Sequence, residues 1–343
     1  MTQQRSESAA IYTFYSYKGG VGRSMALANV GALLACWGKK VLLVDWDLEA
    51  AGIEKYFENE ATTSPKDKAS IAGKESASLR TARAVTPGVV DLVYQYSRGE
   101  TLDWHKCLLS VFPFGEEHPL YILSAGQDDG RYLERFQSLD WELLFEQNQL
   151  GQYLEDLRSQ WIAEFDYVLV DSRTGITDIG GICTIYLPDA VVLFFTTNRQ
   201  SLDGVADVAR RANLARSRLP FDRSKLIAVP IPARDESRTE YEQALRWRRI
   251  FAETLTPFYQ DWLPYNRKPE DILELLRIPY VPYWSFGERL PVVEEGISDP
   301  TSLGFAYASV ARLIFNQLVW LDGPETTTKT LSRVAPSDGD TIS

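Results

Sequence analysis

A chain of 343 residues exceeds one average domain, and with 45% apolar and 24% charged residues it has the material for a packed core, which excludes wholesale disorder. Asp plus Glu number 47 against 36 Lys plus Arg, a formal net charge of −11, which argues against a general electrostatic grip on nucleic acid or an anionic membrane. Cys36, Cys107 and Cys183 stand apart with no CxxC pair, so neither a disulfide framework nor a zinc or iron–sulfur centre is expected, and reduced thiols in a cytoplasmic protein are.

Met1 to Ala10 is polar and carries no apolar stretch of a secretory signal. Ile11 to Ser16 predicts a first strand. Met25, Leu27, Val30 and Leu33 then fall on one face of a helix that Gly38 ends. Val41 to Val44 is continuously apolar, as a strand buried on both faces is. Residues 59–83, rich in Ala, Ser, Thr and Lys, are expected to be a mobile insertion. Further strands are predicted at Tyr121 to Leu123, Tyr167 to Val170, Val191 to Phe195, Leu226 to Val229 and Ile278 to Val281. Helices are predicted at Leu133 to Trp161, Leu202 to Leu219, Glu240 to Leu255 and Leu303 to Leu321. Residues 237–275 are expected to form a helical insertion on the sheet, with Trp247, Phe251, Tyr259 and Trp262 as core. From 323 to 343 the chain lacks periodicity and a disordered tail is expected. Strands alternating with helices predict a single α/β domain over 1–322, a doubly wound, mostly parallel sheet flanked by helices. The longest apolar run, Ala190 to Phe195, is far short of the roughly 20 residues that span a bilayer.

Lys18-Gly19-Gly20-Val21-Gly22-Arg23-Ser24 lies between the first strand and the first helix, where backbone N–H groups converge on an anion. That placement predicts phosphate binding, with glycines because a side chain would hold the backbone off the phosphate oxygens. Ser24 is positioned to offer its hydroxyl to Mg²⁺. The strict pattern G-x-x-x-x-G-K-[ST] fails twice, at Tyr17 and at Arg23. A Rossmann site is the rival reading, since Gly20-x-Gly22 opens a helix and Asp45 ends the second strand; against it, Met25 occupies the third glycine's place, and Lys18 and Ser24 would have no use.

The loop resembles the deviant Walker A motif, K-G-G-x-G-K-[ST], of the MinD/ParA/nitrogenase iron protein (SIMIBI) class of P-loop ATPases. The resemblance continues at Val41-Leu42-Leu43-Val44-Asp45-Trp46-Asp47, similar to the class's switch I segment, and at Phe165 to Asp171, similar to its Walker B strand, with Ser172 to Gly175 at switch II. A variant branch carrying Lys-Gly-Gly-Val-Gly-Arg matches more closely still. The resemblance implies ATP and Mg²⁺ as cofactors and a homodimer that closes on ATP. Nucleotide contacts would come from Lys18, Gly19, Gly20, Val21, Gly22, Arg23, Ser24 and Met25, and metal contacts from Ser24, Asp47 and Asp171. The catalytic groups implied are Lys18, reaching across the dimer to the partner's phosphates, Arg23 in the place of the second lysine, and Asp47, orienting the attacking water. A protein effector that reads the nucleotide state is implied too, in a bacterial multi-protein signalling or defence system. No match is found for the class's base-reading Asn at Val229-Pro230-Ile231-Pro232, for the membrane helix of the MinD branch, or for the tyrosine cluster of the related bacterial kinases.

Arg173 and Arg199 are candidates for sensing a terminal phosphate or for ordinary ion pairs. Asp178 reads as a capping or solvated acid, and Asp45 equally as cap or ligand. Arg210, Arg211, Arg216, Arg218, Arg223 and Lys225 form the clearest basic tract, which leaves DNA as a candidate ligand although a solvated helix face is the commoner meaning. Arg246-Trp247-Arg248-Arg249 reads the same way. His105 and His118 have no partners at ligand spacing.

Overall fold

The computed structural model describes residues 9–58, 79–175, 181–219, 223–236 and 240–319. Seven strands form one sheet: β1 Ala10–Ser16, β2 Val41–Asp45, β3 Leu108–Val111, β4 Leu120–Leu123, β5 Tyr167–Asp171, β6 Ala190–Phe195 and β7 Ile227–Pro232, in the order β3-β4-β2-β5-β1-β6-β7. All pairings are parallel except that of the edge strand β3 with β4.

Continuous apolar strands are what a sheet covered on both faces demands. Successive side chains of β2 and β5 enter opposite cores. Tyr12, Phe14, Leu43 and Leu169 face one hydrophobic cluster, shared with the first helix, Arg23–Cys36, and the last, Leu303–Phe315. Ile11, Leu42, Val44, Val168 and Val170 face the other, shared with Val89–Ser97 and Leu150–Glu164. The first helix starts at Gly22, in the left-handed region at φ 87°, and is followed by Gly38 at φ 80°.

Several expectations are corrected. The predicted helix from Leu133 to Trp161 is three helices, Tyr132–Gln137, Trp141–Glu146 and Leu150–Glu164. Asp140 restarts the second by accepting from the Leu143 N–H at 3.0 Å, and Gln149 breaks before the third at φ 55°. Ile278 to Val281 is not a strand but a single bridge, Asp235 with Pro279, because Pro279 and Pro282 have no N–H to extend a ladder. The last helix ends at Phe315, and Gln317 and Leu318 take positive φ. The edge strand β3 and the helix Val89–Ser97 were not foreseen.

Residues 59–78 of the expected insertion lie outside the described residues, whereas 79–83 belong to a helix, Leu79–Val85, tied down by Arg83 to the buried Glu54 at 2.7 Å. Within 237–275 the helices Tyr241–Tyr259 and Pro269–Leu275 lie against the sheet, Phe251 meeting Phe195 edge-on at 4.8 Å and Trp262 donating to the Ala228 carbonyl at 3.0 Å. The expected tail, 323–343, lies outside the described residues, as does Asp178. Among the described residues no helix is long and apolar enough to cross a membrane.

Candidate functional site

Strand order assembles the site. β5 lies between β1 and β2, so the chain leaving β1, the end of β2 and the end of β5 meet at one sheet edge, with Asp171 in register with both Phe14 and Asp45. Carboxyl ends of parallel strands are where such folds hold ligands. A cleft of about 660 Å³ opens there, lined by Gly19 through Met25, Asp47, Glu49, Arg173 and Arg234 among others.

In the loop, Gly20 and Gly22 sit at φ 72° and 87°, a conformation that side chains resist, and a Cβ at Gly19, Gly20 or Gly22 would find nothing within 4 Å. The backbone therefore faces open space, the form of a cradle that a phosphate would fill. Lys18, at the head of the loop, is half-buried and is not among the residues lining the cleft. Arg23 is buried, and its Nε lies 2.5 Å from Asp171 Oδ1 and its Nη2 2.7 Å from Asp47 Oδ2. Ser24 Oγ donates to Asp171 Oδ2 at 2.5 Å. The two carboxylates hold the Arg23 guanidinium charged, against the desolvation that is the largest influence on it. Burial pushes the Asp171 carboxyl up, opposed chiefly by Arg23.

Asp45 has a different task. Its carboxylate accepts from the backbone N–H groups of Asp47, Gly52 and Ile53 at 3.1, 2.9 and 3.2 Å, so it shapes the turn after β2. Burial, then the charges of Asp171 and Glu54, push its carboxyl up to about 7. Of the sequence candidates, the loop residues, Asp47 and Asp171 therefore come together, with Asp45 in support. Arg173 lines the cleft in an ion pair with Glu49. Arg199 is exposed on the first turn of the helix Arg199–Arg216 and does not line the cleft.

Ser24 Oγ and the two carboxylates form an oxygen-only donor set, which suits a hard divalent cation such as Mg²⁺. No cluster of three or more His, Cys, Asp or Glu able to hold a metal occurs among the described residues, so a cation here would also need ligand oxygens.

Sequence reasoning missed Arg234. It adopts φ 52°, donates from Nη1 to the Gly20 carbonyl at 2.9 Å and stacks over Tyr280 at 4.4 Å. Nothing local signals this, since the two ends of that hydrogen bond are 214 residues apart. Of the basic tract, Arg216 and Arg223 are spent internally, whereas Arg210, Arg211, Arg218 and Lys225 are exposed. Arg216 is buried against the carbonyls of Ser224, Ile185 and Pro188, and Arg223 pairs with Glu155. Arg211 pairs with Asp207 at 2.8 Å and Lys225 with Asp261 at 2.7 Å. His105 bridges Asp103 and Glu164 on the surface.

No protein-family model matches the chain. It is 25% identical over 166 residues to an uncharacterized ATP-binding protein of Methanocaldococcus jannaschii, a match covering 48% of this chain and 45% of that protein. The aligned part is thus less than half of that relative. Among solved structures, the cell division ATPase MinD of Pyrococcus furiosus superposes with a TM-score of 0.53 at 18% identity, covering 90% of this chain and 99% of the other. The chain has the MinD/ParA fold. Another structure with this fold, the septum site-determining protein MinD of Pyrococcus horikoshii complexed with Mg-ADP, matches at 18% identity over 89% of this chain and 96% of that one, with a TM-score of 0.52. Within the MinD/ParA fold Arg23 at the start of the first helix, Asp47 just after β2 and Asp171 at the end of β5 meet at the carboxyl edge of the central three strands.

Proposed function

We propose that the chain is an ATP-dependent switch: ATP closes a homodimer, a partner protein reads the closed state, and slow hydrolysis to ADP and phosphate reopens it. The observation that carries this reading is the meeting of an open glycine loop, the Ser24 hydroxyl and the Asp47 carboxylate at one cleft, both side chains held to one network with the buried Asp171 behind them. The likeness to MinD structures, one of them complexed with Mg-ADP, and to an ATP-binding protein supports the choice of nucleotide.

In this reading the N–H groups of Gly19 to Ser24 bind the phosphates, and Met25 flanks them. A bound Mg²⁺ would supply charge neutralisation of the phosphate oxygens from Ser24, Asp47 and Asp171. Asp47 orients the attacking water, Arg23 offsets charge in its own chain, and Lys18, which does not line its own cleft, acts on the partner's phosphates. Such chemistry is positioning and electrostatics rather than covalent catalysis.

One observation favours a second reading, a regulatory module that holds nucleotide with little hydrolysis. The cation expected to face the phosphates and the carboxylate expected to orient water are bonded to each other, Arg23 Nη2 to Asp47 Oδ2 at 2.7 Å. Calorimetry with ATP and Mg²⁺, followed by single-turnover phosphate release, separates the readings. Ser24→Ala is expected to lose Mg²⁺-dependent affinity, and unchanged affinity would overturn the assignment of the loop. Binding without phosphate release would select the regulatory module.

A further inference from the structure

The two carboxylates assigned above to a divalent cation already grip a cation of the chain itself. Arg23 Nε and Nη2 reach Asp171 and Asp47 at 2.5 and 2.7 Å, with the three side chains only 5%, 3% and 14% exposed. Ser24 takes the remaining oxygen of Asp171. All three side chains expected to bind metal are therefore engaged in one buried network around a guanidinium.

The arrangement depends on this being arginine. Two carboxylates brought together by neighbouring strands repel each other, and in a buried setting one of them would take up a proton if no cation stood between them. A guanidinium presents donors in a planar fork and can satisfy both at once, whereas an ammonium is a point charge. Arg23 opens the first helix, Asp171 ends β5 and Asp47 follows β2, so the fork also ties three segments together. One nitrogen is left over: Arg23 Nη1 is buried with no hydrogen-bond partner, on a residue that lines the cleft. A buried, unused donor on a cationic group is costly unless an acceptor arrives.

We infer that Arg23 is a tethered cation that keeps Asp47 and Asp171 from taking up a divalent metal until a polyphosphate enters the loop. Its guanidinium then moves from the carboxylates to a phosphate oxygen, Nη1 being the donor already free to receive it. Metal uptake is thereby made conditional on nucleotide, and Asp47 is withheld from water until both are present. This inference rests on the ATP reading for its second half alone.

The test uses Mn²⁺ as the probe and the full chain without nucleotide, with free Mn²⁺ followed by electron paramagnetic resonance. Arg23→Gln, which keeps a polar side chain but is shorter and uncharged, is expected to bind Mn²⁺ roughly tenfold or more tightly than wild type. Adding Asp171→Asn to that variant is expected to abolish the gain. A non-hydrolysable ATP analogue is expected to bring Mn²⁺ into the wild type. Equal Mn²⁺ affinity of nucleotide-free wild type and Arg23→Gln would overturn the inference, even with the analogue binding normally. Failure of wild type to bind the analogue would instead overturn the nucleotide reading and the transfer of the guanidinium with it. Should Arg23→Gln fail to fold, the Arg23 Nε–H resonance of wild type decides: it is expected to be protected from exchange in the nucleotide-free protein and to shift when the analogue binds, and an unprotected or unmoved signal would overturn the inference.

Discussion

The ring of Tyr17 lies against Gly204 so closely that a Cβ at residue 204 would fall 2.2 Å from Tyr17 Cγ. Tyr17 stands where the strict phosphate-loop pattern has its first glycine, and the helix Arg199–Arg216 accommodates it by having no side chain there. Gly204→Ala is therefore expected to displace the ring at the root of the loop and destabilise the fold by about 1–3 kcal/mol, the usual cost of overpacking. Denaturant unfolding measures it. A loss below about 0.5 kcal/mol would show that the ring swings aside freely.

Asp47→Ala should retain ATP, because the loop amides and Ser24 remain. Phosphate release in a single turnover is expected to fall on the order of 10²-fold or more, as when a water-orienting group is removed. Thermal unfolding of the same variant is the control, since Arg23 keeps Asp171 but loses a partner. Turnover at the wild-type rate would remove Asp47 from the mechanism.

Lys18 is half-buried and does not line the cleft of its own chain. Across a two-fold interface it would meet the partner's triphosphate in a water-poor crevice, where attraction between charges is strong before desolvation is subtracted. Light scattering is expected to show wild type dimeric with an ATP analogue and monomeric with ADP, and Lys18→Ala monomeric with both while still binding nucleotide. A Lys18→Ala protein that dimerises and hydrolyses normally would show that the lysine has no role in trans.

His105 places Nε2 2.7 Å from Glu164 and Nδ1 2.8 Å from Asp103. Glu164 first, and Asp103 with it, raise its pKa above the ordinary value of 6.5. Because the folded-state pKa exceeds the unfolded one, the contribution to stability is fully present below about 6.5 and is lost as pH rises through the folded value. An NMR titration of His105 should give a midpoint above 6.5, and a midpoint at or below it would show that the two carboxylates leave the imidazole unaffected.

The sequence by itself determined the elements that carry their own pattern. β1, the glycine loop, the first helix and β2 follow one another within about 35 residues, and buried parallel strands announce themselves as unbroken apolar runs. The breaks at Asp140 and Gln149 were not legible, because the apolar spacing on either side of them continues helically while the cap and the left-handed residue interrupt it. Nor could composition tell which basic residues face solvent and which are spent internally, since Arg216 is satisfied by three carbonyls from two separate segments. Tertiary structure alone decided the state of the site. Arg23 and Asp171 are 148 residues apart and share a bond only because β5 inserts between β1 and β2. Spacing along a chain encodes the face on which a residue lies, but which charges neutralise one another depends on the order of the strands and on the low dielectric they enclose.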